Sequence, residues 1–389
     1  MTMTNKVIPY GKQNISQHDI DAVVDVLKSD WLTQGPKVPA FEQAIADYCD
    51  VNFACATNSA TSALHIACLA LGVGESDIVW TSPISFVASA NCALYCGAKV
   101  DFVDIDLDTG NMSPGELEQK LISAKKIDSL PKVVIPVHLA GQSCDMKAIY
   151  ELATKYGFKI IEDASHAIGA KYLDKSVGNC DYSDITVFSF HPVKIITSAE
   201  GGMAVTNSQT LDKSMKRLRS HGITSNPDEM TEPSHGPWYY QQIDLGFNYR
   251  MTELQAALGL SQLKKLDQFV AERNKLANIY TNEFKNLPIS HLHQSSQSYS
   301  SYHLYIIRLT GDAVKKHKEL ICSLREHNIT SHLHYIPIHI QPYYQALGFK
   351  KSDFPNAIEY YHSALTIPLH PKLTNLEQDY IIKTIIEFL

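Results

Sequence analysis

Between Val51 and Asn207 short apolar runs alternate with helix-periodic segments, and this alternation restricts the fold more than any other feature of the chain. The runs "FACAT", "DIVWTS", "KVDFVDID", "KVVIPVHLAG" and "KIIEDAS" recur roughly every 25 to 35 residues, with helix-like stretches such as "TSALHIACLALGVG", "SFVASANCALYCGA" and "MKAIYELATKYGF" between them. Strands separated by helices build βαβ units, so an α/β protein with a largely parallel sheet is expected. No repeat period marks a solenoid. Ahead of this region Ser16 and Asp19 form a capping-box pattern, and Ile20, Val23, Val24 and Leu27 lay an apolar stripe along the helix that follows.

Beyond Asn207 the character changes. "ITSNPDEMTEPSHGPWYYQQ", residues 223–242, is polar, proline-bearing and aperiodic, and its length marks a functional loop or disorder. Trp238, Tyr239 and Tyr240 argue against disorder. From Met251 a helical period runs to about Leu287, with room for a kink. Then come a strand at "YHLYIIRL", a helix near "AVKKHKELICSLREHN", a strand at "ITSHLHYIP" and a final helix. This reads as a smaller α+β unit: residues 1–250 form the large domain, and 251–389 a connecting helix with the small one.

Composition excludes other classes. With 34 basic against 41 acidic residues and no basic tract, nucleic-acid binding is not expected. No apolar run is long enough for a membrane span, and "MTMTNKVIPYGKQ" lacks the apolar centre of an export signal. The eight cysteines form no C-x-x-C pair and sit mostly in apolar runs. They read as reduced core residues of a cytoplasmic protein. Cys92 and Cys96, four apart, also read as core.

The chemistry gathers at strand ends, where open α/β sheets present functional groups. "TNSATSAL" sets Asn58, Ser59, Thr61 and Ser62 at a helix entry, where free N–H groups and hydroxyls suit either a phosphate or an ordinary cap. "IIEDASHA" places Glu162, Asp163 and His166 after an apolar strand, where a buried carboxylate needs partners. "SFHPVKIITSAEGG" carries Lys194 with only Glu200 nearby as a carboxylate. An ammonium in an apolar setting without a partner loses its proton and becomes a nucleophile toward carbonyls. A lysine, a carboxylate and a helix entry in this order make the constellation of a pyridoxal 5'-phosphate site. His332 and His334 share a strand face, which also suits a metal, but no third ligand is evident, so no metal is expected.

Taken together, "WLTQGP", "NSATSAL", "SFVASANC", "EDASHAIGA", "FSFHPVK", "AEGG", "RSHG" and "FNYRMTELQAALGLSQL" resemble the DegT/DnrJ/EryC1/StrS sugar-nucleotide aminotransferases over nearly the whole chain. The resemblance implies the fold-type-I architecture of pyridoxal-phosphate transferases: a mostly parallel sheet flanked by helices, plus a small C-terminal domain. It implies Lys194 as the cofactor-bearing lysine and proton shuttle, Asp163 against the pyridine nitrogen, and His166 near the phenolic oxygen. Phe86 is expected on the ring face, and Ser189 with Ala60 and Thr61 at the phosphate. Asn248 is expected to reach the neighbouring subunit's cofactor, making a homodimer with shared sites. Where many members carry glutamine this chain has His166, and it retains Lys194 where related dehydratases have histidine, which favours amino transfer. A finer likeness, carried by "SDWLTQGP", "TSPISFVASAN" and "HLHYIPIH", is to the branch making 4-amino sugars for pseudaminic acid. It implies a UDP-linked keto sugar and L-glutamate as substrates, with Tyr10, Asp30, Trp31, Leu32, Thr33, His334 and Tyr335 around the sugar nucleotide.

Overall fold

A computed structural model describes residues 6–389; the part of the export-signal reading that rests on residues 1–5 lies outside them. Seven strands form the main sheet: β1 (Phe53–Thr57), β2 (Ile78–Thr81), β3 (Lys99–Phe102), β4 (Val133–Ile135), β5 (Lys159–Asp163), β6 (Ile185–Ser189) and β7 (Gly202–Thr206). Their order across the sheet is β1-β7-β6-β5-β4-β2-β3. All neighbours pair in parallel except β7, which runs antiparallel to both β1 and β6. The exception has a local cause: the link from β6 to β7 holds no helix to carry the chain back to the other end of the sheet.

Successive side chains point to opposite faces of the sheet, so the inner strands are apolar where both faces are covered. Val79, Val133, Val100 and Ile161 face one layer with α3 (Ala60–Ala70), α4 (Ala88–Tyr95) and α7 (Gln209–Arg219). Trp80, Val134 and Ile160 face the other, with α5 (Pro114–Lys125) and α6 (Met146–Tyr156). Ala54, Ala56, Phe188, Met203 and Val205 meet α2 (Lys37–Cys49) and α8 (Glu253–Leu263). The sheet is therefore covered on both faces.

α1 (Gln17–Leu27) starts on the expected capping box, with Asp19 accepting from the Ser16 backbone and hydroxyl. The expected stripe is not its buried face. Ile20 and Leu27 are exposed, while Asp19 and Val26 are buried. Polar bonds draw that face inward, with Ser261 and Gln262 of α8 and Lys265 just beyond it all donating to Asp19. The long helical stretch divides into α8 and α9 (Leu266–Glu283), broken at Lys264–Lys265. Leu266, Phe269 and Val270 pack on the main core, and Leu276, Ala277 and Tyr280 on a second one.

That second core includes a three-stranded antiparallel sheet, Ile289–His291, Tyr305–Leu309 and Ala364–Ile367, with helices His317–Glu326 and Asn375–Phe388. The strand expected at "ITSHLHYIP" is held only by single bridges, Ile8 to Ile329 and His332 to Thr366. Past the second bridge the chain leaves the sheet edge and carries His334 and Tyr335 to a cavity. Residues 223–242 are ordered as an excursion closed at its base by Ile223–Thr224 pairing with Gln241–Gln242.

Candidate active site

The antiparallel β7 builds the site. Gly202 pairs with Thr57 at the end of β1 and with Ser189 at the end of β6, and Asp163 at the end of β5 pairs with Val187. Three carboxyl ends that are far apart in sequence thus lie along one edge. They open into a cavity of about 930 Å³, lined in part by Tyr10, Ala60, Thr61, Phe86, Asp163, His166, Ser189, Lys194, His334 and Tyr335. Of the residues singled out from the sequence, Asp30, Trp31, Leu32, Thr33 and Asn248 do not line it.

Lys194 lies on the β6–β7 excursion, partly buried, just before the buried Ile195 and Ile196. Its amine makes no ion pair among the described residues. Desolvation lowers its pKa from 10.5 to about 8, against a smaller opposing pull from Asp163. Glu200, its nearest carboxylate in sequence, lines the same cavity without pairing to it.

Asp163 is buried and held from two sides. Ser89 donates to Oδ2 at 2.6 Å, and the Ser165 N–H donates to Oδ1 at 3.1 Å. Ser89 in turn bonds Ser85 at 2.7 Å, and Ser85 lines the cavity. These serines are hidden inside the "ISFVASAN" stretch, because nothing local says which strand end α4 packs against. Glu162, one residue earlier, points to the other face of the sheet. There it bonds His138 at 2.7 Å and accepts from Thr186 at 3.0 Å, so it answers its own burial cost and takes no part in the cavity chemistry.

At the entry of α3 the Ser59 side chain caps the Ser62 N–H at 3.1 Å, and Ser62 donates to Asn58 at 2.7 Å. The Ala60 and Thr61 N–H groups, at the first two helical positions, find no acceptor among the described residues. Two free donors at the positive end of a helix, facing a cavity, form an anion seat. Gly202 packs directly against this entry: a Cβ there would lie 2.5 Å from the Ala60 nitrogen.

Another part of the lining carries His334 and Tyr335, joined by Tyr10 from the N-terminal segment. Tyr10 lies with its ring 5.2 Å from His334 and 5.5 Å from His332. His334 is buried and bonds Thr366 at 2.8 Å; burial, with His332 and Lys194 nearby, lowers its pKa to about 3. His303, which sequence reasoning missed, is buried with its ring 4.4 Å from that of His166. Phe86 stands 59% exposed in the cavity, its ring 6.4 Å from Tyr335, so a flat face is offered to a ligand. Outside the cavity, Thr33 bridges Thr252, so the exposed segment Asp30–Thr33 lies beside the start of α8, and α8 itself sends Gln255 to the cavity lining. Exposed Asn248 bridges Ser220, and its neighbour Tyr249 accepts the Asn58 N–H at 2.8 Å.

These residues fit pyridoxal phosphate. The cavity brings together an unpaired amine, two unsatisfied helix N–H donors, a two-point-held carboxylate and an open aromatic face. When bound, the group supplies an aldehyde and a ring that withdraws electrons from an attached amine carbon.

Comparison with known proteins gives a consistent picture. The sequence profile of the DegT/DnrJ/EryC1/StrS aminotransferase family matches residues 13–386. A Campylobacter jejuni protein named UDP-4-amino-4,6-dideoxy-N-acetyl-beta-L-altrosamine transaminase is 40% identical over 384 residues, covering 98% of each chain. The structure of Helicobacter pylori PseC, described as an aminotransferase of pseudoaminic acid biosynthesis, superposes with a TM-score of 0.89 at 34% identity, covering 98% of this chain and 99% of that one. The PLP form of Spr1654, described as a putative sugar aminotransferase from Streptococcus pneumoniae, gives a TM-score of 0.87 at 31% identity, covering 97% of each chain.

Proposed function

The chain belongs to the DegT/DnrJ/EryC1/StrS aminotransferase family, and from that premise we propose the reaction and the roles of its residues. It is a pyridoxal-phosphate-dependent sugar aminotransferase. The amino group comes from L-glutamate and goes to C4 of a UDP-linked 4-keto-6-deoxy-N-acetylhexosamine of L-arabino configuration. The product is UDP-4-amino-4,6-dideoxy-N-acetyl-β-L-altrosamine, for pseudaminic acid biosynthesis. The likeness to the altrosamine transaminase and to PseC supports this choice of sugar.

One observation carries the chemistry: Lys194 holds an amine without an ion-pair partner among the described residues, in the same cavity as Asp163 and the α3 entry. With a pKa near 8, Lys194 takes up and gives back a proton at Nζ close to neutral pH. Ser89 and Ser165 fix the Asp163 carboxylate, leaving its remaining lone pairs to hold a proton on the pyridine nitrogen. Ala60, Thr61 and Ser189 hold the phosphate, Phe86 covers a ring face, and His166 faces the phenolic oxygen. Tyr10, His334 and Tyr335 take the sugar nucleotide. Retention of Lys194 favours amino transfer over dehydration on the same cofactor.

The reading includes a homodimer with shared sites, to which Asn248 and the Asp30–Thr33 segment contribute from the partner. Its support is the placement of Asn248 beside the α3 entry but outside this chain's cavity, together with exposed Trp31, Leu32, Trp238 and Leu245. A division after residue 250 into cofactor-binding and small domains also belongs to it. So does a cytoplasmic location, supported by eight free cysteines. No helix among the described residues is long and apolar enough to cross a membrane.

Competition between the L-arabino UDP-4-keto sugar and its D-configured epimer tests the substrate. The wrong epimer leaves buried polar groups unpaired at about 1–3 kcal/mol each, so a preference of roughly tenfold or more for the L-sugar is expected. Equal rates, or preference for the D-epimer, would place the enzyme with another sugar of the family.

A further inference from the structure

His166 sits between two partners that fix where its proton lies. The Ala140 backbone N–H points at Nδ1 at 3.3 Å, and the Tyr335 hydroxyl lies 3.0 Å from Nε2. A backbone N–H can only donate, so Nδ1 is the acceptor. The ring is 5% exposed and packs 4.4 Å from the buried His303; burial first, then Lys194 and His334, disfavours an imidazolium. It is therefore neutral with its single proton on Nε2. That nitrogen donates to the Tyr335 oxygen and has no lone pair to take the tyrosine's own proton.

We infer that Ala140, His166 and Tyr335 form a one-way hydrogen-bond relay, which turns the Tyr335 hydroxyl proton into the cavity as a donor to an oxygen of the sugar. Tyr335 lines the cavity with Lys194 and Phe86, so its free proton meets the space that a substrate enters. Burial raises its pKa, which keeps the proton on the oxygen across the working range. His166 is then a positioning residue acting through Tyr335, whatever bond Nε2–H also makes to the cofactor. A glutamine at 166 preserves the polarity, its carbonyl accepting from Ala140 and its amide donating to Tyr335. A leucine abolishes it.

The identity of the ligand rests on the proposed function; the relay itself does not, so two measurements separate them. In the holoenzyme with ¹⁵N-labelled histidine, the His166 signal, assigned by its loss in His166→Gln, should report the Nε2-protonated neutral ring unchanged between about pH 6 and 8. A proton on Nδ1, or titration within that range, overturns the relay. The second measurement is binding of UDP-N-acetylglucosamine and of UDP to the holoenzyme by calorimetry. His166→Leu and Tyr335→Phe should each weaken the sugar nucleotide roughly tenfold and leave UDP within about twofold, while His166→Gln retains wild-type affinity. Unchanged affinity in Tyr335→Phe, or failure of glutamine to rescue, overturns the donor role. Absence of binding by the wild type to both probes, with the Nε2 proton in place, counts against the sugar-nucleotide reading instead.

Discussion

Gly202→Ala tests how the sheet builds the anion seat. Gly202 lies between Thr57 and Ser189, and an added Cβ meets the Ala60 nitrogen and the Ser59 carbonyl carbon and oxygen, all at 2.5 Å. Ordinary contact begins near 3.4 Å, so the α3 entry must retreat by roughly 0.9 Å, and backbone rather than a pliant side chain has to move. Overpacking of this kind costs about 1–3 kcal/mol of folding stability. The specific loss falls on the free N–H groups of Ala60 and Thr61. If two charge-assisted bonds to the cofactor phosphate worth about 1.5 kcal/mol each are broken, the loss is about 3 kcal/mol, roughly a hundredfold in Kd. Titration of cofactor-stripped enzyme with pyridoxal phosphate, followed by absorbance and paired with urea melts, reads both effects. Gly74→Ala is the control, since a Cβ there meets nothing within 4 Å. A folded Gly202→Ala enzyme that binds the cofactor within twofold of wild type would refute the placement of the phosphate at the α3 entry.

Lys194 makes the stripped enzyme's stability depend on pH. Its folded pKa of about 8 lies below the usual 10.5, so below pH 8 both states are protonated and the folded one bears the full desolvation cost. Between those values the folded state has lost the proton while the unfolded state still binds it, so stability rises with pH. Relative to Lys194→Met, the wild-type melting temperature should climb from about pH 8 to 10.5; a constant difference contradicts the lowered pKa. Mixing inactive Lys194→Ala with inactive Asn248→Ala subunits should restore part of the activity, because one site of the heterodimer then carries neither lesion. No recovery despite demonstrated subunit exchange would mean that each site is built from one chain.

Local chemistry makes much of this protein legible in its sequence alone. The capping box at Ser16 and Asp19 is read from two residues, and the inner parallel strands announce themselves because burial on both faces demands apolar runs such as Val133–Ile135. Lys194 stands out because an amine without a carboxylate at pairing distance in sequence is costly in an apolar setting, and the fold leaves it unpaired with a lowered pKa. Tertiary pairing decides the rest. The inward face of α1 is set by Ser261, Gln262 and Lys265 converging on Asp19, over 240 residues away in sequence, so the local apolar stripe is overruled. The pairing of β7 with β1, which seats Gly202 against the α3 entry, depends on a partner strand about 150 residues away in sequence. The same holds for Ser89 on Asp163 and for Tyr335 on His166. Period and propensity act over a few residues, whereas these bonds join segments that only the closed sheet and its second core bring together.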